Sequence, residues 1–261
     1  MSKTSQDYQA ELKPTWCPGC GDFGVLSCLY KAFAALDLPP EEVALIAGIG
    51  CSSRIPGFVN VYGFNAVHGR ALPMALGVKM ANPELTVVAT GGDGDGFAIG
   101  GGHIPHVARK NLDIAYIIMD NQIYGLTKGQ AAPTSSFAFE TGTTPYGAVE
   151  MPLNPIALAL TYGATFVARG YSSQVKELTD LIVKAIDHKG FAFLQVLSPC
   201  PTFNKVDTFK AYATRVAPIP ETHDVTNLTA ALHLALTEDK THLGIFYQVR
   251  KIGRASCRER V

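Results

Sequence analysis

Thr86-Val87-Val88-Ala89-Thr90-Gly91-Gly92-Asp93-Gly94-Asp95-Gly96 runs from a β-branched apolar segment straight into a glycine turn carrying two aspartates. A helical pattern follows at 99–109. A strand, glycine turn and helix let the backbone approach a phosphate and aim helix N–H groups at it. Outward from this stretch the same alternation repeats. Apolar runs at 43–49, 114–119, 164–168 and 191–197 read as buried parallel strands. Helical patterns lie at 23–36, 72–80, 155–162 and 173–188, the third opened by Asn154 and Pro155 as cap and first helical residue. The alternation predicts an α/β fold, a parallel sheet with helices on both faces, whose ligands sit at the strand carboxyl ends. Residues 243–247 read as a further strand or buried segment. Residues 199–220 and 127–154 read as irregular. The latter stretch is long for a plain loop, which marks it as functional or interface-forming.

The whole composition agrees with a packed core. Of 261 residues, 47% are apolar and 17% charged, and 22 basic residues balance 22 acidic ones. That balance lacks the electrostatic footprint of a nucleic-acid or membrane-surface binder. No apolar run approaches the roughly 18 residues of a membrane span. The opening MSKTSQDYQAELKPTW has no apolar core of a secretory signal, so a cytoplasmic location is expected. In that compartment the six cysteines read as ligands, redox groups or core residues rather than as a disulfide framework. The last eleven residues, KIGRASCRERV (251–261), hold four of the 22 basic residues. They resemble a translated sequencing adapter. We expect one domain over 1–250 and a native C-terminus that is missing.

The aspartates of the glycine turn do not suit a bare phosphate cradle, because acid repels phosphate. They suit a divalent cation between carboxylate and phosphate. Asp120-Asn121, at the end of the next strand, supplies the second half. An Mg²⁺ ion could take Asp93, the Asn121 amide oxygen, a backbone carbonyl near Ile123, diphosphate oxygens and water. The plainer reading is a glycine turn with solvated aspartates, and Asn121 at this spacing argues against it.

Four cysteines are placed for a second site. Cys17 and Cys20 form a C-x₂-C, which reads either as a metal clamp or as a thioredoxin-like redox pair. Cys51 and Cys200 follow the strands at 43–49 and 191–197, at the same sheet edge as Asp93 and Asn121. Four thiolates there could hold a 4Fe–4S cluster or a tetrahedral Zn²⁺. Cys28 lies inside the first helical pattern and reads as a core residue. His103 and His106 have the spacing of a metal pair, but structural roles suit them better.

The Gly92-Asp93-Gly94 turn followed by Asn121 resembles the thiamin-diphosphate fingerprint. His68-Gly69-Arg70-Ala71-Leu72-Pro73, residues 91–102 and the run from Asp120 through Ile123, Tyr124 and Lys128 to Gln130 resemble one family more closely. That family is the β subunit of 2-oxoacid:ferredoxin oxidoreductases, nearest the 2-oxoglutarate type, and the likeness covers 16–250. Gly102 departs from the pattern, since the family commonly has Asn before the histidine.

The resemblance implies a parallel-sheet thiamin-diphosphate-binding fold. It also implies a diphosphate site at His68, Gly92, Asp93, Gly94, Asp95, Asn121 and Ile123, with Mg²⁺ on Asp93, Asn121 and Ile123. It decides for a 4Fe–4S cluster on Cys17, Cys20, Cys51 and Cys200. Arg54 and Lys128 resemble the family's cations near the substrate carboxylates, where the plainer reading is a surface cation. His68 also reads as a capping or packing residue. The implied reaction is oxidative decarboxylation of a 2-oxoacid, with coenzyme A collecting the acyl group and the cluster passing electrons to ferredoxin. The implied partner is an α subunit, which brings the glutamate that activates the cofactor. Two rivals explain less. A non-oxidative thiamin enzyme leaves the cysteines unexplained, and a zinc-stabilised binding subunit leaves Asp93 and Asn121 unexplained.

Overall fold

The computed structural model describes residues 2–237 and 239–251; most of the adapter-like tail, including Cys257, lies outside them. In chain order the elements are α1 (Asp22–Ala35), β1 (Val43–Ala47), β2 (Tyr62–Asn65), α2 (Ala71–Ala81), β3 (Thr86–Gly92), α3 (Asp93–Phe97), α4 (Ile104–Lys110), β4 (Ile114–Asp120), α5 (Pro155–Thr161), β5 (Phe166–Tyr171), α6 (Val175–Asp187), β6 (Phe191–Leu197), α7 (Phe209–Arg215), β7 (Val216–Pro218), α8 (Leu228–Leu236) and β8 (Thr241–Gln248). The strands form one sheet in the order β2-β1-β3-β4-β6-β5-β8-β7. All neighbours are parallel except β5 and β8.

Side chains alternate between the faces of the central strands, and each face has its own core. Leu45, Val88, Ile117 and Leu194 pack on one side with Leu29 and Phe33 of α1 and Leu178 and Ile182 of α6. Ile46, Ala89, Ile118 and Phe193 pack on the other with Leu72 of α2, Val107 of α4, Ile156 of α5 and Ala231 of α8. Strands sandwiched this way carry apolar residues on both faces, which is why β4 and β6 are buried throughout. Among the described residues, no helix is long and apolar enough to cross a membrane.

The strand expected at 43–49 ends at Ala47. At Gly48 a Cβ would lie 1.9 Å from the Asp95 carboxylate, so that acid occupies the space beside the chain. The strand expected at 164–168 runs from Phe166 to Tyr171, because Arg169 is buried with its Nε donating to Gln195 Oε1 at 2.7 Å. The helix expected at 99–109 is broken. Its glycine-rich start forms a 3-10 turn, Ile99–His103, and the α-helix begins only at Ile104. Residues 199–220, expected to be irregular, hold α7 and β7; Thr208 starts α7 by accepting from the Ala211 amide at 3.2 Å. Residues 127–154 hold turns and isolated bridges but no helix or strand.

Helix α1 approaches the loop after β5 closely at Gly24, where a Cβ would lie 2.3 Å from the Ser172 carbonyl oxygen. The neighbour is backbone and cannot rotate away. We predict that Gly24→Ala lowers the unfolding free energy by about 1–2 kcal/mol, the overpacking cost exceeding the helix propensity gained. Denaturant titration checks this; an unchanged or raised midpoint contradicts the close approach.

Candidate active site

Strand register sets the site. Ala47 of β1 pairs with Thr90 of β3, Gly92 with Met119 of β4, and Asp120 with Leu197 of β6. The residues that leave these strands therefore emerge at one level. They are 48–51, 93–96, 121–125 and 198–200.

A cleft at this edge is lined by Cys51, His68, Gly92, Asp93, Gly94, Asp95, Asn121 and Ile123, among others, with a volume of about 60 Å³. The turn into α3 buries both aspartates. Asp93 Oδ2 accepts from the Thr134 hydroxyl at 2.6 Å, and the same hydroxyl lies 3.0 Å from Asp120 Oδ1. Burial and the neighbouring Asp120 carboxyl hold Asp93 well above the ordinary carboxylate range. Burial likewise raises Asp120. Two acids enclosed together favour a cation beside them.

Asp95 is used differently. Its Oδ1 accepts from the Ile49 amide at 2.9 Å and the Gly69 amide at 2.7 Å. It thereby ties the loop after β1 to the His68-Gly69 turn. His68 is half-buried and stacks on Tyr124 with ring centroids 6.2 Å apart. Tyr124 in turn donates to the Gly94 carbonyl at 3.0 Å. The Asn121 side chain accepts from the Ile123 amide at 3.1 Å, which shapes the turn, and the Ile123 side chain is buried. Arg54 lies on an exposed position of the 3-10 turn Ser52–Gly57. Lys128 is exposed at φ +77°. Neither sits in the cleft lining.

Cys51 lines the same cleft, and Cys200 lies beside it. A Cβ at Gly125 would lie 3.6 Å from Cys200 Sγ, 3.8 Å from Cys51 Sγ and 3.9 Å from Asn121 Nδ2. Cys20 and Cys51 each lie within electrostatic reach of Cys200, and Cys51 also of Cys17. Burial, then the nearby Asp22 carboxylate, raises both thiols, Cys51 to about 11. A thiol so placed becomes thiolate when a metal supplies positive charge. The loops are tied directly to one another. Trp16 Nε1 donates to the Cys51 carbonyl at 2.7 Å, and the Gly21 amide to the Pro199 carbonyl at 3.0 Å. Among the described residues no three His, Cys, Asp or Glu side chains form a ready-made metal site, so the four thiols do not make a closed ligand set. Cys28 is fully buried in α1, 3.4 Å from the Val175 carbonyl. His103 contacts the Arg70 guanidinium.

Several residues of this edge escape sequence reading. Thr134 arrives from the irregular 127–154 stretch. Asn204, fully buried, donates to the Asn121 carbonyl at 3.0 Å and so ties the Cys200 loop to the Asn121 turn. Asp22, also buried, accepts from Ser198 at 2.6 Å, and burial raises it to about 6. A larger cavity of about 460 Å³ lies between α6 and β7–β8, with Arg169 in its wall and none of the predicted site residues.

Residues 48–196 match the family model described as thiamine pyrophosphate enzyme, C-terminal TPP binding domain. Residues 200–256 match the model for the C-terminal part of the pyruvate ferredoxin oxidoreductase beta chain. The 2-oxoacid:ferredoxin oxidoreductase subunit beta of Saccharolobus solfataricus is 45% identical over 247 residues, covering 89% of this chain and 81% of that one. The 2-oxoglutarate synthase subunit KorB of Methanocaldococcus jannaschii is 42% identical, covering 75% and 72%. A solved structure of 2-oxoglutarate:ferredoxin oxidoreductase from Magnetococcus marinus, with 2-oxoglutarate, coenzyme A and succinyl-CoA bound, superposes with a TM-score of 0.94 at 49% identity. It covers 96% of this chain and 86% of its own. Relatives of this kind along nearly its whole length, on a sheet whose carboxyl edge carries a buried glycine–aspartate turn with Cys51 and Cys200 beside it, place the chain in the β-subunit family of 2-oxoacid:ferredoxin oxidoreductases.

Proposed function

We propose that this β subunit serves the oxidative decarboxylation of 2-oxoglutarate, forming an acyl-CoA and CO₂ and passing electrons through a 4Fe–4S cluster to ferredoxin. The observation that carries this reading is the position of Gly125, where an added Cβ would come within 3.9 Å of the Cys51 and Cys200 sulfurs and of the Asn121 amide nitrogen. Cofactor-side and cluster-side groups meet there, at a residue with no side chain. Electrons released at one side have a short path to the other. The relatives named for 2-oxoglutarate favour it over pyruvate as substrate.

In this reading residues 1–250 act as one thiamin-diphosphate domain in the cytoplasm. Thiamin diphosphate, when bound, supplies the carbanion that adds to the keto carbon and the electron sink for loss of CO₂. Asp93 and Asn121, with the Ile123 carbonyl, would hold Mg²⁺ against the diphosphate, and the Gly92–Gly94 backbone would admit it closely. Burial of the Asp93–Asp120 pair supports this, since a divalent cation answers the charge they concentrate. His68 and Asp95 shape the wall. Arg54 and Lys128, both exposed, are assigned to the substrate carboxylates and would act from the mouth of the cleft. Cys17, Cys20, Cys51 and Cys200 would ligate the cluster.

The cleft is narrow, and large apolar side chains of the 127–154 stretch face solvent. They are Phe137, Tyr146, Val149 and Met151. We assign this surface to the α subunit, which would cover the cofactor and bring the activating acid. Proton transfer at the cofactor needs a positioned group, and the acids of the cleft, Asp93 and Asp95, are already assigned to the metal and the wall.

Three outcomes are expected. Cys17→Ser, Cys20→Ser, Cys51→Ser and Cys200→Ser each lose iron and sulfide per chain, whereas Cys28→Ser keeps the wild-type count. A full count in any of the four removes that residue from the set. Asp93→Ala abolishes Mg²⁺-dependent thiamin diphosphate binding in calorimetry and leaves iron content intact; unchanged affinity makes the turn structural only. The chain alone, anaerobically purified, shows broad visible absorption lost on dithionite reduction. It does not reduce a viologen dye with 2-oxoglutarate and coenzyme A until an α subunit is added. Full turnover by the chain alone would sink the two-subunit reading, and a colourless zinc protein would sink the cluster.

A further inference from the structure

Five buried polar side chains run in file from the wall of the large cavity to the cofactor cleft. Arg169 of β5 donates through Nε to Gln195 Oε1 at 2.7 Å. Gln195 of β6 donates through Nε2 to Asp120 Oδ2 at 2.7 Å. Asp120 Oδ1 lies 3.0 Å from the Thr134 hydroxyl, which is 2.6 Å from Asp93 Oδ2. None is more than 9% exposed. The file crosses three strands and ends on the aspartate assigned to the metal.

A hydroxyl carries one proton, and the two carboxylates compete for it. Asp120 is already supplied. It accepts from Gln195 on one oxygen and from the Gln122 amide, 3.2 Å away, on the other. The Arg169 cation lies behind Gln195, fixed by the His242 carbonyl at 3.3 Å and by the Phe246 ring 5.2 Å from its carbon centre. Thr134 is therefore free to give its proton to Asp93, over the shorter of its two contacts.

We propose that Thr134 is the positioning residue of the metal site. It holds one oxygen of Asp93 and leaves the other for the cation, while Asp120, anchored by Gln195 and Arg169, turns the Thr134 hydroxyl toward Asp93. The proposal rests on the reading that Asp93 binds the Mg²⁺ of thiamin diphosphate. Partners that orient a metal ligand are commonly worth about 10–100-fold in metal affinity. A purely structural hydroxyl would instead register in stability.

The test uses the assembled αβ enzyme stripped of thiamin diphosphate, titrated with thiamin diphosphate and Mg²⁺ in a calorimeter, with iron content and melting temperature measured alongside. Thr134→Val keeps the shape and removes the hydroxyl, and it should weaken Mg²⁺-dependent binding about tenfold or more. Thr134→Ser should restore binding to within about threefold of wild type, and iron content should not move. Thr134→Ala removes the hydroxyl without adding apolar bulk, serves where the Val chain does not assemble, and carries the same expectation. Wild-type affinity in the hydroxyl-free variant, or a Ser variant as weak as Val, overturns the proposal. If Asp93→Ala also binds normally, the metal reading itself fails. If Asp93→Ala loses binding while the hydroxyl-free variant keeps it, only the role of Thr134 fails.

Discussion

The parallel register of β1, β3, β4 and β6 is the constraint on which the site depends. Pairing of Ala47 with Thr90, Gly92 with Met119 and Asp120 with Leu197 makes four strands stop at one level. In a parallel sheet this register is fixed by burial on both faces, because a slip of one residue would exchange the two cores. Moving β4 by one position would send Ile117 toward α2 and Ile118 toward α1. It would also carry Asp120 and Asn121 away from Asp93. Packing and chemistry are thus specified by the same pairing.

That edge concentrates groups which fare badly in a dry interior. Asp22, Asp93 and Asp120 are each at most 2% exposed, and burial is the first cause of every upward shift among them. Their donors, Ser198, Thr134 and Gln195, offset part of the desolvation. A carboxyl whose folded pKa is raised gives stability that is present below its unfolded value and lost as pH rises through the folded one. For Asp22 that window runs from 3.8 to about 6. Near neutral pH these groups weigh against the fold, and a cation bound beside them would reverse that effect.

The parts of the fold legible in sequence are those buried on both faces. The run 191–197 reads as a strand because every residue is apolar except Gln195. Strand β5 is misplaced by sequence reading because Arg169 looks like a terminator, whereas Gln195 and the face of Phe246 accommodate its charge inside the sheet. Strand β2 escapes it because all four of its residues are exposed at the sheet edge, so no burial pattern marks it. At the site, glycine–aspartate spacing and cysteines just past strand ends are local signals. Thr134, Gln195 and Asn204 leave no such trace. A threonine in a loop or a glutamine in a strand takes its meaning from partners far along the chain, as Gln195 does from Asp120.

The turn after β4 joins the two halves of the site. Asn121 opens it, its own side chain closing on the Ile123 amide. Tyr124 crosses to Gly94 of the glycine–aspartate turn. Gly125 then passes between Asn121 and the sulfurs of Cys51 and Cys200, and Asn204 of the cysteine loop holds the turn through the Asn121 carbonyl. A side chain at 125 would stand in ordinary contact with both sulfurs and fill the space between them and Asn121. One turn therefore sets both the Asn121 amide and the surroundings of two thiols. A change that shifts the Asn121 end must displace the cysteine end as well, so the aspartate side and the cysteine side of this edge cannot be adjusted independently.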